Sequence, residues 1–363
     1  MRVLSIWPPA PATKVALRRR TPLAFPLDSP TCRLYTRARQ GLFEGVSGWG
    51  FELGDEVLAP AYHHGSEIEA LRRAGLVCRF YEAENPLEPD ADELNALVGS
   101  RTRALHLTHV LGFPADGPRW RSWCDERGLV LIEDAAQAWL SQWAGQPVGA
   151  SGDLAIFCLY KTVGLPIGSA LVSRLPLGPR GAGPLGALQL AKFGAGRLLR
   201  RSDRFARLLR RRDQASSPEE DMALEDPSQP LSTALRLAIS RLDTSDVARR
   251  RRANYTILSN ALPESVRTPF AHLSDGASPF MFPLVVADKP SALSRLRERR
   301  IDAMDFWSVP HPALPTDSYP EAARWRATVV GLPVHQGLRA HDIERLLEAA
   351  REVSGLRGGS ATP

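Results

Sequence analysis

The sequence predicts an α/β fold: a mainly parallel sheet covered by helices on both faces, followed by a second, smaller domain. Three observations predict it. Apolar strand-like runs alternate with helix-like segments from about residue 54 to 175, the pattern that parallel strands joined by helical crossovers require. Two glycines, Gly75 and Gly128, fall where helices in that alternation must end. Past residue 178 the alternation stops, and a differently patterned region begins near 231. A chain of 363 residues has room for two domains at roughly 150 residues each.

The elements follow in order. Glu56-Val-Leu-Ala-Pro60 reads as a buried strand. Ser66-Glu-Ile-Glu69 reads as a capping box opening a helix that ends at Gly75. Residues 76–81 are strand-like, 90–98 helical, 104–110 strand-like and 119–128 helical, closing on Gly128. Two apolar runs then end at Asp134 and Tyr160, and a last one covers 169–173. In such sheets ligands bind beyond the carboxyl ends of the strands.

Residues 178–230 break the pattern. They include an arginine-dense segment, 197–212, expected as a surface helix with a solvated arginine face; contact with a polyanion or a membrane surface is the alternative. Residues 214–229 are polar and read as a loop. A long helical stretch over 231–262 leads into the second domain, with a strand at 280–286, a helix at 290–300, a strand at 329–332 and a closing helix at 341–353. The expected division is a large domain over 1–235, carrying the basic insert at 178–230, and a small domain over 236–363.

Composition narrows the function classes. The chain is 44% hydrophobic and 24% charged, as soluble globular chains are. A net charge of +6 favours anionic small molecules slightly, and no nucleic-acid recognition motif accompanies the arginines. Cys32, Cys78, Cys124 and Cys158 are scattered without a Cys-x-x-Cys spacing, which argues against a zinc site or a disulfide framework and fits a reducing cytoplasm. The first residues are too short in apolar content for a secretory signal. No run of about 18 apolar residues exists, so no membrane span is expected.

Lysine is scarce. Of 46 Lys plus Arg, only Lys14, Lys161, Lys192 and Lys289 are lysines, so each needs a reason. Lys161 directly follows the apolar run Leu154-Ala-Ile-Phe-Cys-Leu-Tyr160. The preceding run, Leu129-Val-Leu-Ile-Glu-Asp134, ends on an acid. An acid at one strand end and a lysine after the next is the pair that pyridoxal 5'-phosphate (PLP) requires: the lysine forms the Schiff base and the acid holds the pyridinium nitrogen. Burial and a nearby cationic ring are expected to lower the lysine pKa and make it a nucleophile and general base.

At this point the sequence resembles the DegT/StrS family of PLP-dependent sugar aminotransferases. The resemblance rests on Ile132-Glu-Asp134-Ala-Ala-Gln137, Gly149-Ala-Ser-Gly152-Asp153 and Phe157-Cys-Leu-Tyr-Lys161-Thr. Gly54-Asp-Glu-Val57-Leu-Ala-Pro60, His109-Val-Leu-Gly112-Phe-Pro-Ala-Asp116 and Leu332-Pro-Val-His335 extend it, in order, over most of 32–353. It implies a three-layer α/β/α PLP-transferase fold type I large domain with a smaller C-terminal α+β domain. It also implies a homodimer with active sites at the subunit interface, a keto-sugar substrate that is nucleotide-linked, and an amino-acid donor such as glutamate. By the same resemblance Lys161 is the Schiff-base lysine, Asp134 the pyridinium partner and Gln137 the contact to the ring oxygen. His64 matches the aromatic that stacks on the ring, with Tyr62 and His63 as rivals. His109 reads either as a neighbour of the site or as a satisfied strand-end histidine.

The chain departs from the family at the phosphate end. The Ser-Gly-Thr turn stands here as Tyr35-Thr36-Arg37-Ala38, which makes Thr36, Arg37 and the amide of Ala38 the phosphate candidates. Cys158 replaces a serine whose hydroxyl would reach the phosphate, and a thiol is a weaker donor. The asparagine-and-arginine loop that reaches the neighbouring subunit has no clear match; Arg251, Arg252 and Asn254 lie in its region. Two enzyme readings result, an aminotransferase or another PLP reaction such as sugar dehydration. Retention of Lys161 disfavours dehydration, since sugar dehydratases resembling this family place a histidine there. A PLP-fold protein acting as a non-catalytic regulatory or binding partner is the reading from another class.

Overall fold

The computed structural model describes residues 2–9, 22–82, 84–178, 183 and 218–356. The arginine-dense segment 197–212 lies outside the described residues. Seven strands form the main sheet: β1 Arg33–Tyr35, β2 Glu56–Pro60, β3 Val77–Tyr81, β4 Thr102–Thr108, β5 Val130–Asp134, β6 Leu154–Cys158 and β7 Ser169–Ser173. Their order is β1-β7-β6-β5-β4-β2-β3. Strands β2 to β6 pair in parallel, and β7 runs antiparallel to both β6 and β1. The expected mainly parallel sheet is thus present.

Burial explains why these runs are strands. Every residue of β6 is buried, and so are four of five in β2 and β5, the continuous apolar reading of a sheet packed on both faces. The helices α1 Ala38–Ser47, α2 Ser66–Arg73, α3 Ala91–Leu97 and α4 Gly117–Asp125 cover it. Their ends follow side-chain chemistry. Asp90 accepts from the N–H groups of Asp92 and Glu93, and Asp116 from that of Arg119. Gly75 and Gly128 take positive φ past the ends of α2 and α4, as expected. The capping box at Ser66–Glu69 does not form: Gly65 is the cap, and the Glu67 carboxylate turns back to accept from the His64 N–H at 2.9 Å.

The short helix α5 Leu159–Val163 follows β6 at once and ends on Gly164 at φ 66°. Downstream come α6 Pro218–Met222, α7 Thr233–Ile239 and α8 Val247–Ala261. The single helix expected over 231–262 is therefore two. Asp243 accepts from the N–H and the hydroxyl of Ser245, a side-chain turn that competes with helix and breaks it.

The last third of the chain builds a smaller antiparallel sheet, β8 Met281–Val285, β9 Met304–Asp305 and β10 Val329–Pro333, in the order β8-β10-β9. It packs with α9 Lys289–Glu298, α10 Pro320–Thr328 and α11 Ala340–Val353. The N-terminal Leu4–Ser5 pairs in parallel with Ile301–Asp302, so the first residues pack with the last. One apolar cluster joins Tyr62, Ile68 and Phe113 of the sheet region to Phe282, Leu332 and Leu346. The carboxyl end of the sheet therefore abuts the smaller sheet, and the main cleft opens there. Among the described residues no helix is long and apolar enough to cross a membrane.

Candidate active site

A cleft of about 530 Å³ lies at the carboxyl ends of β2, β4, β5 and β6, with the C-terminal region on its far side. Seven of the eight residues singled out in the sequence line it: Arg37, Ala38, His64, Asp134, Gln137, Cys158 and Lys161. Thr36 does not. It is buried behind the turn, and its hydroxyl is spent on Gln40 Oε1 at 2.5 Å.

Asp134 is the last residue of β5 and is buried. One carboxylate oxygen accepts from the Ala136 N–H at 2.8 Å; the other has only His106 Nε2, at 3.7 Å, too far for a hydrogen bond. Burial pushes the Asp134 carboxyl above the usual carboxylate range, with His106 opposing. A buried acid with one uncommitted oxygen is what a cationic ring N–H would satisfy. His64 follows β2 in the loop before α2. Burial pushes it down to about 4, so it is a neutral aromatic ring at physiological pH. Its Nδ1 is buried with no hydrogen-bond partner, which costs about 1–3 kcal/mol when left so. The Gln137 carbonyl oxygen accepts from the Leu111 N–H at 2.7 Å, leaving the amide NH₂ as its free end.

Lys161 sits in α5, its Nζ 5.8 Å from the centre of the Phe280 ring. Its pKa departs from the sequence expectation. Burial works against the ammonium, but Cys158, Tyr160 and the carboxylates of Asp134 and Glu67 outweigh it and hold Lys161 above its ordinary value. The expected lowering included a cationic ring beside the lysine, which this chain alone does not contain. At the other end of the cleft Arg37 caps α1 and Arg39 follows. Arg37 lies 5.8 Å over the Tyr160 ring. A descending acidic segment meets both arginines: Glu225 lies 3.8 Å from Arg37 Nε, and the Ala223 carbonyl accepts from Arg39 at 2.7 Å.

The residues present fit PLP. An acid stands at the strand end, a neutral imidazole with an orphaned nitrogen lines the wall, and a lysine and an arginine-flanked helix N-terminus share the same cleft.

The rivals resolve by their partners. His63 is committed to the Pro60 carbonyl at 2.8 Å and to the His311 N–H at 3.2 Å, and Tyr62 packs against Phe306 and Trp307. Neither lines the cleft; His64 does. His109 is the satisfied strand-end histidine, bonded to Glu133 at 3.0 Å and accepting from the Ala115 N–H. Arg251, Arg252 and Asn254 do not form a free loop. Arg251 donates to the carbonyls of Lys161, Thr162, Pro279 and Phe280, Arg252 to those of Ser274 and Ala277, and Asn254 to those of Val334 and His335. They fasten their own chain. Sequence reasoning missed Trp7, Glu67, Arg39, Tyr160 and the Met304–Val309 wall, all in the cleft. Only Tyr160 and Arg39, each beside a chosen residue, carried any local signal.

Residues 38–170 match the DegT/DnrJ/EryC1/StrS aminotransferase family. A dTDP-3-amino-3,4,6-trideoxy-alpha-D-glucose transaminase of Streptomyces venezuelae is 26% identical over 85% of this chain and 78% of that protein. A GDP-perosamine synthase of Vibrio cholerae is 30% identical, but over only 35% of this chain and 36% of that protein. The fold is shared with solved structures. DesV of S. venezuelae superposes with TM-score 0.66 at 24% identity, covering 88% of this chain and 84% of that one. The aminotransferase TlmJ of Streptoalloteichus hindustanus gives 0.64 at 22%, covering 89% and 85%.

Proposed function

We propose that the protein is a PLP-dependent aminotransferase that moves an amino group from an amino acid, glutamate in our reading, to a nucleotide-linked keto-sugar. The convergence of Lys161, Asp134 and His64 in one cleft carries the reading. Lys161 would hold the cofactor covalently, Asp134 its ring nitrogen, Gln137 its ring oxygen, His64 its ring face, and Arg37 with the Ala38 amide its phosphate. When bound, PLP supplies an electron sink for negative charge at the substrate carbon. The chain's residues do the rest. Asp134, held by the Ala136 N–H, would keep the ring-nitrogen proton in place. Lys161 would take the proton from the donor α-carbon and later deliver one to the sugar carbon that receives nitrogen. The keto-acid product of the donor would leave before the sugar binds, so the kinetics would be ping-pong.

The protein would act in the cytoplasm as a homodimer, in the supply of amino sugars for polysaccharides or secondary metabolites; its free cysteines accord with a reducing compartment. One observation favours a non-catalytic binding role instead: the acidic segment already engages Arg37 and Arg39 at the anion end. The visible spectrum decides. After PLP addition and desalting, the protein should keep a yellow band that bleaches with glutamate, and Lys161→Ala should lose that response. A colourless wild-type protein would overturn the catalytic reading.

A further inference from the structure

Strand β4 is buried at every residue but Arg103. His106, in its middle, is fully buried, and the reaction above does not use it. In the sheet His106 stands opposite Ile132 of β5, and Thr108, two residues on and so on the same face, stands opposite Asp134. His106, Thr108 and Asp134 thus share one face of the sheet where β5 ends. The backbone there is fixed, since the His106 carbonyl accepts from the Tyr81 hydroxyl at 3.1 Å. Nδ1 of His106 faces the Thr108 hydroxyl at 3.5 Å. Nε2 is buried with no hydrogen-bond partner and stands 3.7 Å from Asp134 Oδ2. An unpaired buried imidazole nitrogen is destabilising, and an aliphatic side chain in this strand would avoid that penalty. The position of the nitrogen, aimed at the acid of the cleft, gives a reason for it.

We propose that His106 is a positioning residue for Asp134: its Nε2–H donates to Oδ2 and holds the carboxylate ionised and in place for the ring nitrogen of PLP. The proposal rests on the PLP reading. A hydroxyl donating to Nδ1 leaves the hydrogen of a neutral ring on Nε2, so Thr108 selects the tautomer that donates to the acid. A carboxylate offers about four lone-pair sites. The Ala136 N–H takes one on Oδ1, which leaves Oδ2 for both a ring N–H and the His106 N–H. Shortening the 3.7 Å separation by about 0.8 Å reaches the usual N–H···O distance. The need for this donor lies in the burial of Asp134, which favours its protonated form, with His106 opposing. A protonated acid cannot hold a second proton on a ring nitrogen. A further donor on the carboxylate keeps the charge and fixes the side chain from behind.

The test measures the PLP dissociation constant of wild type, His106→Leu, His106→Gln and Thr108→Val by equilibrium dialysis, with thermal melting of each PLP-free protein as the check on folding. His106→Leu should weaken PLP about tenfold, the low end of what a hydrogen bond to a charged group contributes. His106→Gln brings an amide N–H near the place of Nε2 and should recover most of that loss. Thr108→Val keeps the side-chain shape, removes the hydroxyl, and should weaken PLP about threefold. In an Asp134→Ala background, His106→Leu should change the affinity less than about twofold, because no carboxylate remains to be positioned. At saturating glutamate the yellow band of His106→Leu should bleach more slowly, with the glutamate concentration for half-maximal rate unmoved. A His106→Leu protein that binds PLP like wild type overturns the proposal. So does a loss that is equal in the leucine and glutamine variants, or that persists in full without Asp134, since His106 would then act through packing alone. If His106→Leu fails to fold, Thr108→Val decides: it should weaken PLP with Asp134 present and leave it unchanged in Asp134→Ala, and any other pattern overturns the proposal. A wild type that retains no PLP would instead sink the aminotransferase reading itself.

Discussion

Replacing Arg251 by methionine should uncouple the lysine helix from the second sheet. The guanidinium is buried, and burial lowers its pKa only to about 9, so it is charged at neutral pH. It donates to five acceptors: Gln336 Oε1 at 3.0 Å and the carbonyls of Pro279, Phe280, Lys161 and Thr162 at 2.9–3.3 Å. Methionine fills much of the stem volume and satisfies none of them. Hydrogen bonds to a charged group contribute about 1.5–3 kcal/mol each, and water entering the gap recovers part of that. A buried acceptor left without a donor costs about 1–3 kcal/mol, and with several orphaned and water recovering part of the loss we place it at about 3–5 kcal/mol. At about 2 °C per kcal/mol for a large domain, the first thermal transition should fall by about 6–10 °C. Lys161 and Phe280 share this anchor, so PLP affinity should fall with stability. Scanning calorimetry with and without PLP, beside a visible titration of the cofactor, checks both. A transition within 2 °C of wild type with unchanged cofactor affinity would refute the coupling.

Two further outcomes follow from the cleft's chemistry. Burial pushes His64 down to about 4 and His63 to about 3, while in the unfolded chain both titrate near 6.5. The unfolded state therefore binds more protons below about pH 6.5, so stability falls as pH drops, by about 1.4 kcal/mol per unit for each group. Urea midpoints measured between pH 7 and 5 should decline, and the slope should lessen in His63→Gln; a slope unchanged by that substitution would contradict the buried neutral state. Cys158→Ser restores a hydroxyl donor beside the lysine helix. It should tighten PLP several-fold by equilibrium dialysis, and an unchanged or weaker Kd would show that Cys158 does not face the phosphate.

The sheet was legible because its strands are buried on both faces and so read as continuous apolar runs. Strands β2 to β7 fall within a few residues of their expected places, as do β8 and β10. The three-residue β1 and the two-residue β9 were not legible, since runs so short carry no periodicity. Lys161 and Asp134 could be found because each sits where an apolar strand run ends, whereas His64, four residues past β2, was reached only through the family resemblance. The aromatic wall at Met304–Val309 could not. Its place in the cleft depends on Lys289 and Arg326 reaching across sequence separations of 17 to 265 residues, and no local pattern encodes that.

Two adjacent acids show how a motif mixes framework and chemistry. Glu133 and Asp134 close β5, and successive side chains on a strand point to opposite faces. Glu133 is turned away from the cleft. It accepts from the N–H groups of Gly149 and Gly152 and from His109. A Cβ on Gly149 would come within 2.4 Å of Phe157, so the glycine and the acid together let the return loop lie flat beneath the sheet. That loop carries Asp153 into β6, and β6 delivers Cys158 and Lys161. Asp134 alone faces the cleft. The spacing between these glycines and the lysine therefore matters for a mechanical reason: it fixes the length of chain between the acid that anchors the loop and the lysine that the loop brings back. A one-residue slip of β5 would exchange the two acids, burying the chemical one in the loop and presenting the structural one to the cleft.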